Sequence, residues 1–251
     1  MTTPPSATPA APVEPAHIGD FGRMPGALFN PKPTFQDIVA RPTWFAPLAL
    51  LLVLSIAVFA LFSQRVGWRA YLDRQFDKNP RIAQLSPEDR AKALDNAVKF
   101  TPPIVYAAAI IGTFLGPAIV AGILLLAFNL IGGTRVEFKT AFSIVAYSWM
   151  PFTIHALLSL LLMVLKSPDS IDLEHLVGSN PGAFLSSDSP KWLLTLATSF
   201  DIFTFWAIAL QGIGFSAANP KKISFGKGVS IVLIAWAIWV AVRVAWVGAF
   251  S

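Results

Sequence analysis

Five apolar stretches of about 20 residues or more alternate with polar segments along the chain. A helix of that length crosses the roughly 30 Å hydrocarbon core of a bilayer, and a helix satisfies its own backbone polar groups there. The pattern therefore predicts an all-α, polytopic integral membrane protein whose five transmembrane helices form a small bundle. The predicted spans cover residues 44–63, 103–131, 141–165, 192–215 and 229–250.

The segment before the first span divides into two parts. Residues 1–33 are rich in Pro, Ala and Thr, a composition that buries too little apolar surface to offset the entropy of ordering, so a disordered tail is predicted. The membrane domain, residues 34–251, is expected to begin with a short helix capped by Thr34. Because Phe35 and Ile38 would share one face of that helix, we expect it to lie on the membrane surface.

The largest polar segment covers residues 64–102, between the first two spans. It carries eight Lys or Arg and five acids, and Ser86 followed by Pro87 is typical of a helix start. Eight basic residues lie in the segments on the N-terminal side of the bundle and ten on the opposite side. The rule that basic loops stay in the cytoplasm therefore does not decide the orientation.

The amino-acid composition limits the ligands and cofactors that the protein is expected to bind. Only 13% of the residues are charged, against about 25% in soluble domains. The net charge of +5 fits contact with anionic lipid better than nucleic-acid binding, because no basic stripe is interleaved with exposed aromatic residues. Cysteine is absent and no two of the three histidines have metal-ligand spacing, so we expect no disulfide, metal or other cofactor.

Two ionisable residues stand alone inside the predicted spans: Asp201 in the fourth and Arg243 in the fifth. Burying a charge at membrane depth costs at least about 2.5–3.5 kcal/mol. At about 1.5 Å per residue, the two lie roughly 13 and 10 Å from the same face of the bilayer, on antiparallel neighbouring helices. We expect an intramembrane polar pair. Two alternatives stay open. The residues could form a proton- or ion-handling site, or they could lie apart, with Arg243 extending to the membrane interface.

Further polar and small residues in the spans are candidates for helix packing. His155 is expected to be a hydrogen-bonded packing residue, with proton relay as the alternative. Gly112 and Gly116 have the spacing that lets membrane helices approach closely. Pro117 and Pro151 are expected to bend their helices.

No sequence motif points to catalysis. Residues 212–217 fit a dinucleotide-binding fingerprint formally, but no strand precedes them. The chain contains neither a phosphate-binding loop ending in Gly-Lys-Ser/Thr nor a Gly-x-Ser-x-Gly elbow. We therefore expect a protein that is not an enzyme.

The chain resembles bacterial members of the Yip family, five-span proteins related to the eukaryotic Ypt/Rab-interacting membrane proteins. The resemblance covers roughly residues 33–250. The residues that carry it are Pro33-Thr34-Phe35-Gln36-Asp37-Ile38, Arg41-Pro42-Thr43-Trp44, Gly132-Gly133, Phe138, Ala146-Tyr147-Ser148-Trp149-Met150-Pro151, Phe203-Thr204-Phe205-Trp206, Leu210, Gly212-Ile213-Gly214 and Lys227-Gly228.

The resemblance implies a location and a mode of action. It places the N-terminus in the cytoplasm, the C-terminus outside it, and residues 64–102 as an extracytoplasmic insertion, in a bacterial inner membrane. We expect a membrane-organising or adaptor protein that acts through lipid or through cytoplasmic or membrane protein partners, a second copy of the chain included. The alternative is a small transporter or channel that uses Asp201, Arg243 and His155.

Overall fold

The computed structural model describes residues 17–173, 176–186 and 189–250, and all regular structure within these ranges is helical. The helices are α1 Asp20–Phe29, α2 Pro31–Ala40, α3 Phe45–Arg65, α4 Trp68–Asp77, α5 Pro80–Ala83, α6 Pro87–Leu130, α7 Phe138–Ser148, α8 Pro151–Leu165, α9 Lys191–Ser199, α10 Ile202–Ala218 and α11 Phe225–Phe250.

The apolar helices confirm the prediction of a polytopic membrane protein. Four helical segments are long and apolar enough to cross a bilayer on their own: α3, α6, α7 with α8, and α11. The pair α9 and α10 qualifies as a fifth span only when taken together, because the two helices meet at an angle of 48°. The sequence predicted an unbroken fourth helix, whereas the structure interrupts it at Phe200 and Asp201.

The alternating spans give the bundle two ends. We call the end that carries α1 and α2 the proximal end, and the opposite end the distal end. At the proximal end, the loops before α7 and before α11 meet where Nζ of Lys222 donates to the carbonyl of Gly133 over 2.5 Å. At the distal end, the last turn of α3 meets the last turn of α8 where Arg65 donates to the carbonyl of Val164 over 3.2 Å.

The start of the chain departs from its prediction. Residues 20–33 do not form a disordered tail, because α1 and the first turn of α2 occupy them; residues 1–16 lie outside the described residues. Thr34 is not a cap, since its hydroxyl donates to the carbonyl of Asn30 within α2. Phe35 and Ile38 are fully buried in the bundle core rather than turned to lipid. The surface-helix hypothesis for α2 was therefore wrong.

The polar insertion and the second span form one helix. Ser86 accepts from the backbone N–H of Asp89 over 3.1 Å, and α6 then runs for 44 residues to Leu130. Arg90 near its start donates to Asp73 and Asp77 of α4 over 2.8 and 2.6 Å. These contacts hold α4 against the distal part of α6.

Two glycines bring α10 and α11 into close contact near the proximal end. A Cβ added to Gly212 would lie 2.9 Å from the backbone nitrogen of Val229. A Cβ added to Gly228 would lie 2.6 Å from the carbonyl oxygen of Gly212. These distances leave no room for a side chain, so the sequence that fits a nucleotide fingerprint is a helix-packing surface instead.

Candidate functional site

Asp201 caps a helix inside the membrane-spanning region. Its Oδ1 accepts from the backbone N–H groups of Phe203 and Thr204 over 2.9 and 3.1 Å, and its Oδ2 accepts from the hydroxyl of Ser179. The first N–H groups of a helix lack intrahelical partners and carry partial positive charge. Asp201 therefore begins α10 rather than lying within a continuous helix, and its carboxylate is stabilised by the helix end.

Arg243 lies in the same cleft as Asp201 but is not paired with it. The cleft has a volume of about 280 Å³ and is lined by both residues together with His155, Asn180 and Thr198. No ion pair within 4.0 Å joins the two, and the side chain of Arg243 makes none of the hydrogen bonds found among the described residues. The expected direct contact is thus absent, and Asp201 is instead held by the helix end and Ser179.

The ring of His155 packs against an aromatic side chain in this cleft. It lies edge-on to Phe203, with ring centroids 5.3 Å apart and an interplanar angle of 86°. His155 lines the cleft together with Asp201, so it occupies a polar position in the bundle.

A second, apolar cavity adjoins the polar cleft. It has a volume of about 390 Å³, and Phe152 and Thr204 line both hollows. Its walls include three tryptophans, Trp149, Trp236 and Trp239, and come from α6, the junction of α7 and α8, α10 and α11.

The four residues expected to shape helix packing behave differently from one another. A Cβ on Gly116 would lie 3.0 Å from the ring of Trp149, while a Cβ on Gly112 would meet nothing within 4 Å. Gly112 is thus not a packing position among the described residues. Pro117 is buried within α6 without ending it, and Pro151 begins α8 after the break that follows Ser148.

A buried ion pair joins α1 to α2 at the proximal end. Nε of Arg23 donates to Oδ2 of Asp37 over 2.7 Å, and the side chains are 1% and 0% exposed. Arg23 also donates to Asp20 and to the hydroxyl of Thr43, over 3.1 and 2.7 Å. Arg41 closes the network by donating to Oδ1 of Asp37.

The arginines decide the charge of Asp37. Burial of this carboxyl raises its pKa, but the hydrogen bonds from Arg41 and Arg23 outweigh that effect and hold the pKa of Asp37 below its ordinary value. Asp37 is therefore ionised at neutral pH, and the pair is a true ion pair.

The network also ties the chain start to the third span. The hydroxyl of Tyr147 in α7 lies 3.5 Å from both Thr43 and Asp20. The sequence did not indicate Arg23 as a site residue, because the residues before it are rich in proline and the predicted disordered tail therefore included it. The available signal was the spacing of Asp20 and Arg23, three residues apart on one helix face.

The outward face of α1 is apolar. Phe21 and Phe29 are 81% and 78% exposed, and the exposed Pro25 lies between them on the same face. The charged Arg23 points the other way, into the protein. This arrangement is the reverse of a water-exposed amphipathic helix, so the outward face of α1 is suited to an apolar environment.

The fold defines the class of protein: an all-helical, polytopic integral membrane protein with a polar cleft inside its bundle. Residues 26–247 match the model of the Yip1 domain, and the chain belongs to this family of membrane proteins. The resemblance of the sequence to the Yip family is confirmed. No curated protein and no solved structure matches the chain.

Proposed function

We propose that this protein works by interaction rather than catalysis, and that it gathers anionic lipid around its proximal end. It would thereby organise the surrounding membrane. The observation that carries the proposal is the reversed polarity of α1, whose apolar face points outward while Arg23 is held inside by Asp37. A helix with that polarity is suited to lie at the level of the lipid head groups.

Charge at the proximal end supports the same proposal. The segments at this end, residues 17–44, 131–140 and 219–228, hold eight Lys or Arg and only three acids. Lys221, Lys222 and Lys227 lie in or beside one short loop without an acid. A basic residue near an anionic membrane surface contributes roughly 1 kcal/mol of attraction, so several together would enrich acidic lipid.

The proposal places the proximal end in the cytoplasm of a bacterial cell and the distal end outside the inner membrane. The chain has no cysteine, so single cysteines can be labelled without background. Gly226→Cys suits the proximal end, because a Cβ there meets nothing within 4 Å, and Lys78→Cys suits the distal end. An impermeant maleimide should label position 78 in intact cells and position 226 only after permeabilisation. The reverse result would overturn the orientation.

Energy transfer to lipid tests the proposed function. A donor dye at position 226 or 78 is combined with acceptor-labelled acidic or neutral lipid in proteoliposomes. We expect stronger transfer to acidic than to neutral lipid at position 226, and equal transfer at position 78. Raising the salt concentration should weaken the preference, because exposed charges are screened beyond about 8 Å at 0.15 M.

A charge-matched control separates this effect from general loss of charge. Replacing Lys221, Lys222 and Lys227 by Gln should abolish the preference, while replacing the distal Lys78, Lys92 and Lys99 should not. Equal transfer to acidic and neutral lipid at position 226 would refute lipid gathering. Cross-links from position 226 to one acidic protein would then assign the surface to a protein partner.

The transporter or channel alternative has one observation in its favour, the shared cleft of Asp201, Arg243 and His155. That cleft adjoins a cavity lined mostly by apolar and aromatic side chains. A path for ions needs polar groups along its length, so this continuation favours binding over conduction.

A further inference from the structure

The polar cleft and the apolar cavity together form one elongated amphipathic hollow. The two share Phe152 and Thr204. The polar part holds Asp201 and Arg243 and lies toward the distal end, where α9 leads into α10 and α11 approaches its end. The apolar part extends toward the proximal end. A hollow of this shape accommodates a molecule with a polar head and an apolar tail.

One face of α11 runs along the whole hollow. Val232, Trp236, Trp239 and Arg243 line it, and their spacing of three or four residues keeps them on one side of a helix. From Val232 to Arg243 the helix rises about 16 Å. That length is about half the roughly 30 Å thickness of the hydrocarbon core, which is the reach of one lipid tail.

The polar part has unused binding capacity. Arg243 is exposed, and its side chain makes no ion pair or hydrogen bond among the described residues. Oδ1 of Asn180 is buried there without a hydrogen-bond partner. An arginine inside a membrane span pairs with an anion or a carbonyl, or faces water, and an unpartnered buried amide oxygen shows that the polar groups of this part do not satisfy one another. An occupant with an anionic group would give Arg243 a partner.

The charges of the cleft restrict the head group that can bind there. The positive Arg243 and the negative Asp201 face one cleft without touching, so the cleft is close to neutral overall. A head group with a phosphate and a primary ammonium matches this arrangement. A choline head group has no N–H to donate, and a purely anionic head group would leave Asp201 facing a like charge.

We propose that this hollow binds one phospholipid of the phosphatidylethanolamine type from the distal leaflet. Its phosphate pairs with Arg243, its ammonium donates to Asp201, and one acyl chain fills the cavity beside Trp236. The site is distinct from the proximal surface and does not depend on lipid gathering there.

Lipid retention measured by native mass spectrometry tests this proposal. The intact protein is equilibrated with equal amounts of phosphatidylethanolamine, phosphatidylcholine and phosphatidylglycerol and is then delipidated. We expect one ethanolamine lipid to stay bound. Asp201→Asn should lower the ratio of bound ethanolamine to choline lipid about tenfold, whereas Arg243→Gln, which removes the partner of a phosphate that both lipids carry, should lower the retention of both about tenfold. Lys191→Gln, a distal cation outside the cleft, should leave the ratio unchanged.

Two further measurements make the result decisive. Asp201→Asn keeps a capping oxygen for α10, so its fold should persist and its lipid ratio can be interpreted even if Arg243→Gln unfolds. Ethanolamine lipid brominated on the acyl chain should quench the tryptophans that line the cavity, and Trp236→Phe should lower this signal while Trp246→Phe keeps it. Equal retention of all three lipids, or retention of ethanolamine lipid unchanged by Asp201→Asn, would overturn the proposal.

Discussion

Arg23 in α1 and Asp37 in α2 form an ion pair that is almost completely buried, with Nε and Oδ2 2.7 Å apart. The pair fixes the first helix of the chain on the proximal end of the bundle. Through Thr43 and Tyr147 the same network reaches the start of the first span and the third span. The position of α1 therefore depends on a few polar contacts.

Asp37→Asn should destabilise the protein. Removing one partner of a buried ion pair costs about 3–5 kcal/mol. Because Asp20 also accepts from Arg23, we expect the lower end of that range, measured by denaturant unfolding in detergent. The matched control is Asp95→Asn, which breaks the exposed pair of Asp95 with Arg69 and should change stability by no more than about 1 kcal/mol. Equal effects of the two substitutions would contradict the structural role of Asp37.

The same pair predicts a pH dependence. Since the pKa of Asp37 is lowered in the folded protein, its stabilising effect is fully present above the unfolded pKa of about 3.9 and is lost as the pH falls through the lower folded value. The stability difference between wild type and Asp37→Asn should be constant above pH about 5 and shrink below pH about 4. A difference that already shrinks between pH about 7 and 5 would indicate a raised pKa instead.

Gly212→Ala should disrupt the contact between α10 and α11. The added methyl group would collide with the backbone of Val229, and overpacking of this kind costs about 1–3 kcal/mol or more. Gly122→Ala is the matched control, because a Cβ there meets nothing within 4 Å and Ala is the better helix former. Thermal unfolding in detergent should separate the two variants. Equal midpoints would show that the helices do not approach as closely as described.

Asp201 should contribute to stability as a helix cap, not as the partner of Arg243. Asp201→Ala should cost about 0.5–2 kcal/mol, whereas Asp201→Asn should cost little because Asn also caps helices. In lipid-free detergent, the effects of Asp201→Asn and Arg243→Gln should add within about 0.5 kcal/mol. A larger interaction energy in this double-mutant cycle would restore the direct pair expected from the sequence.

The sequence predicted those features that depend on length and composition. Each apolar run had to match the bilayer thickness, so the sequence predicted the polytopic helical class, and the structure has four helices, or five with the bent pair, that are long and apolar enough to cross a membrane. Asp201 is an example of a feature that mean hydropathy does not reveal. The residues on both sides of it are so apolar that the sequence predicted one continuous span, although Asp201 caps the second of two helices. The length and hydropathy of the segment therefore indicated that Asp201 is an unusual charge, but they did not indicate that the helix is interrupted there.

Contacts between distant segments were not predictable in the same way. Gly212 and Gly228 lie on different helices, and their significance depends on how α10 and α11 cross. Arg23 appeared as a charge in a tail because its partner, Asp37, follows in a separate helix. Nothing in the sequence around Asn180 indicated a site, because its position beside Asp201 depends on how the distal loop folds.

The depth of α1 in the membrane tests whether the outward face of this helix contacts lipid. A nitroxide attached at Phe29→Cys, on the outward face of α1, is compared with one at Gly226→Cys in the proximal part of α11. Collision with oxygen, which dissolves in lipid, is measured against collision with a water-soluble nickel chelate. We expect position 29 to favour oxygen and to be protected from nickel, and position 226 to be reached by nickel. Equal access of nickel to both positions would contradict the proposed contact of α1 with the bilayer.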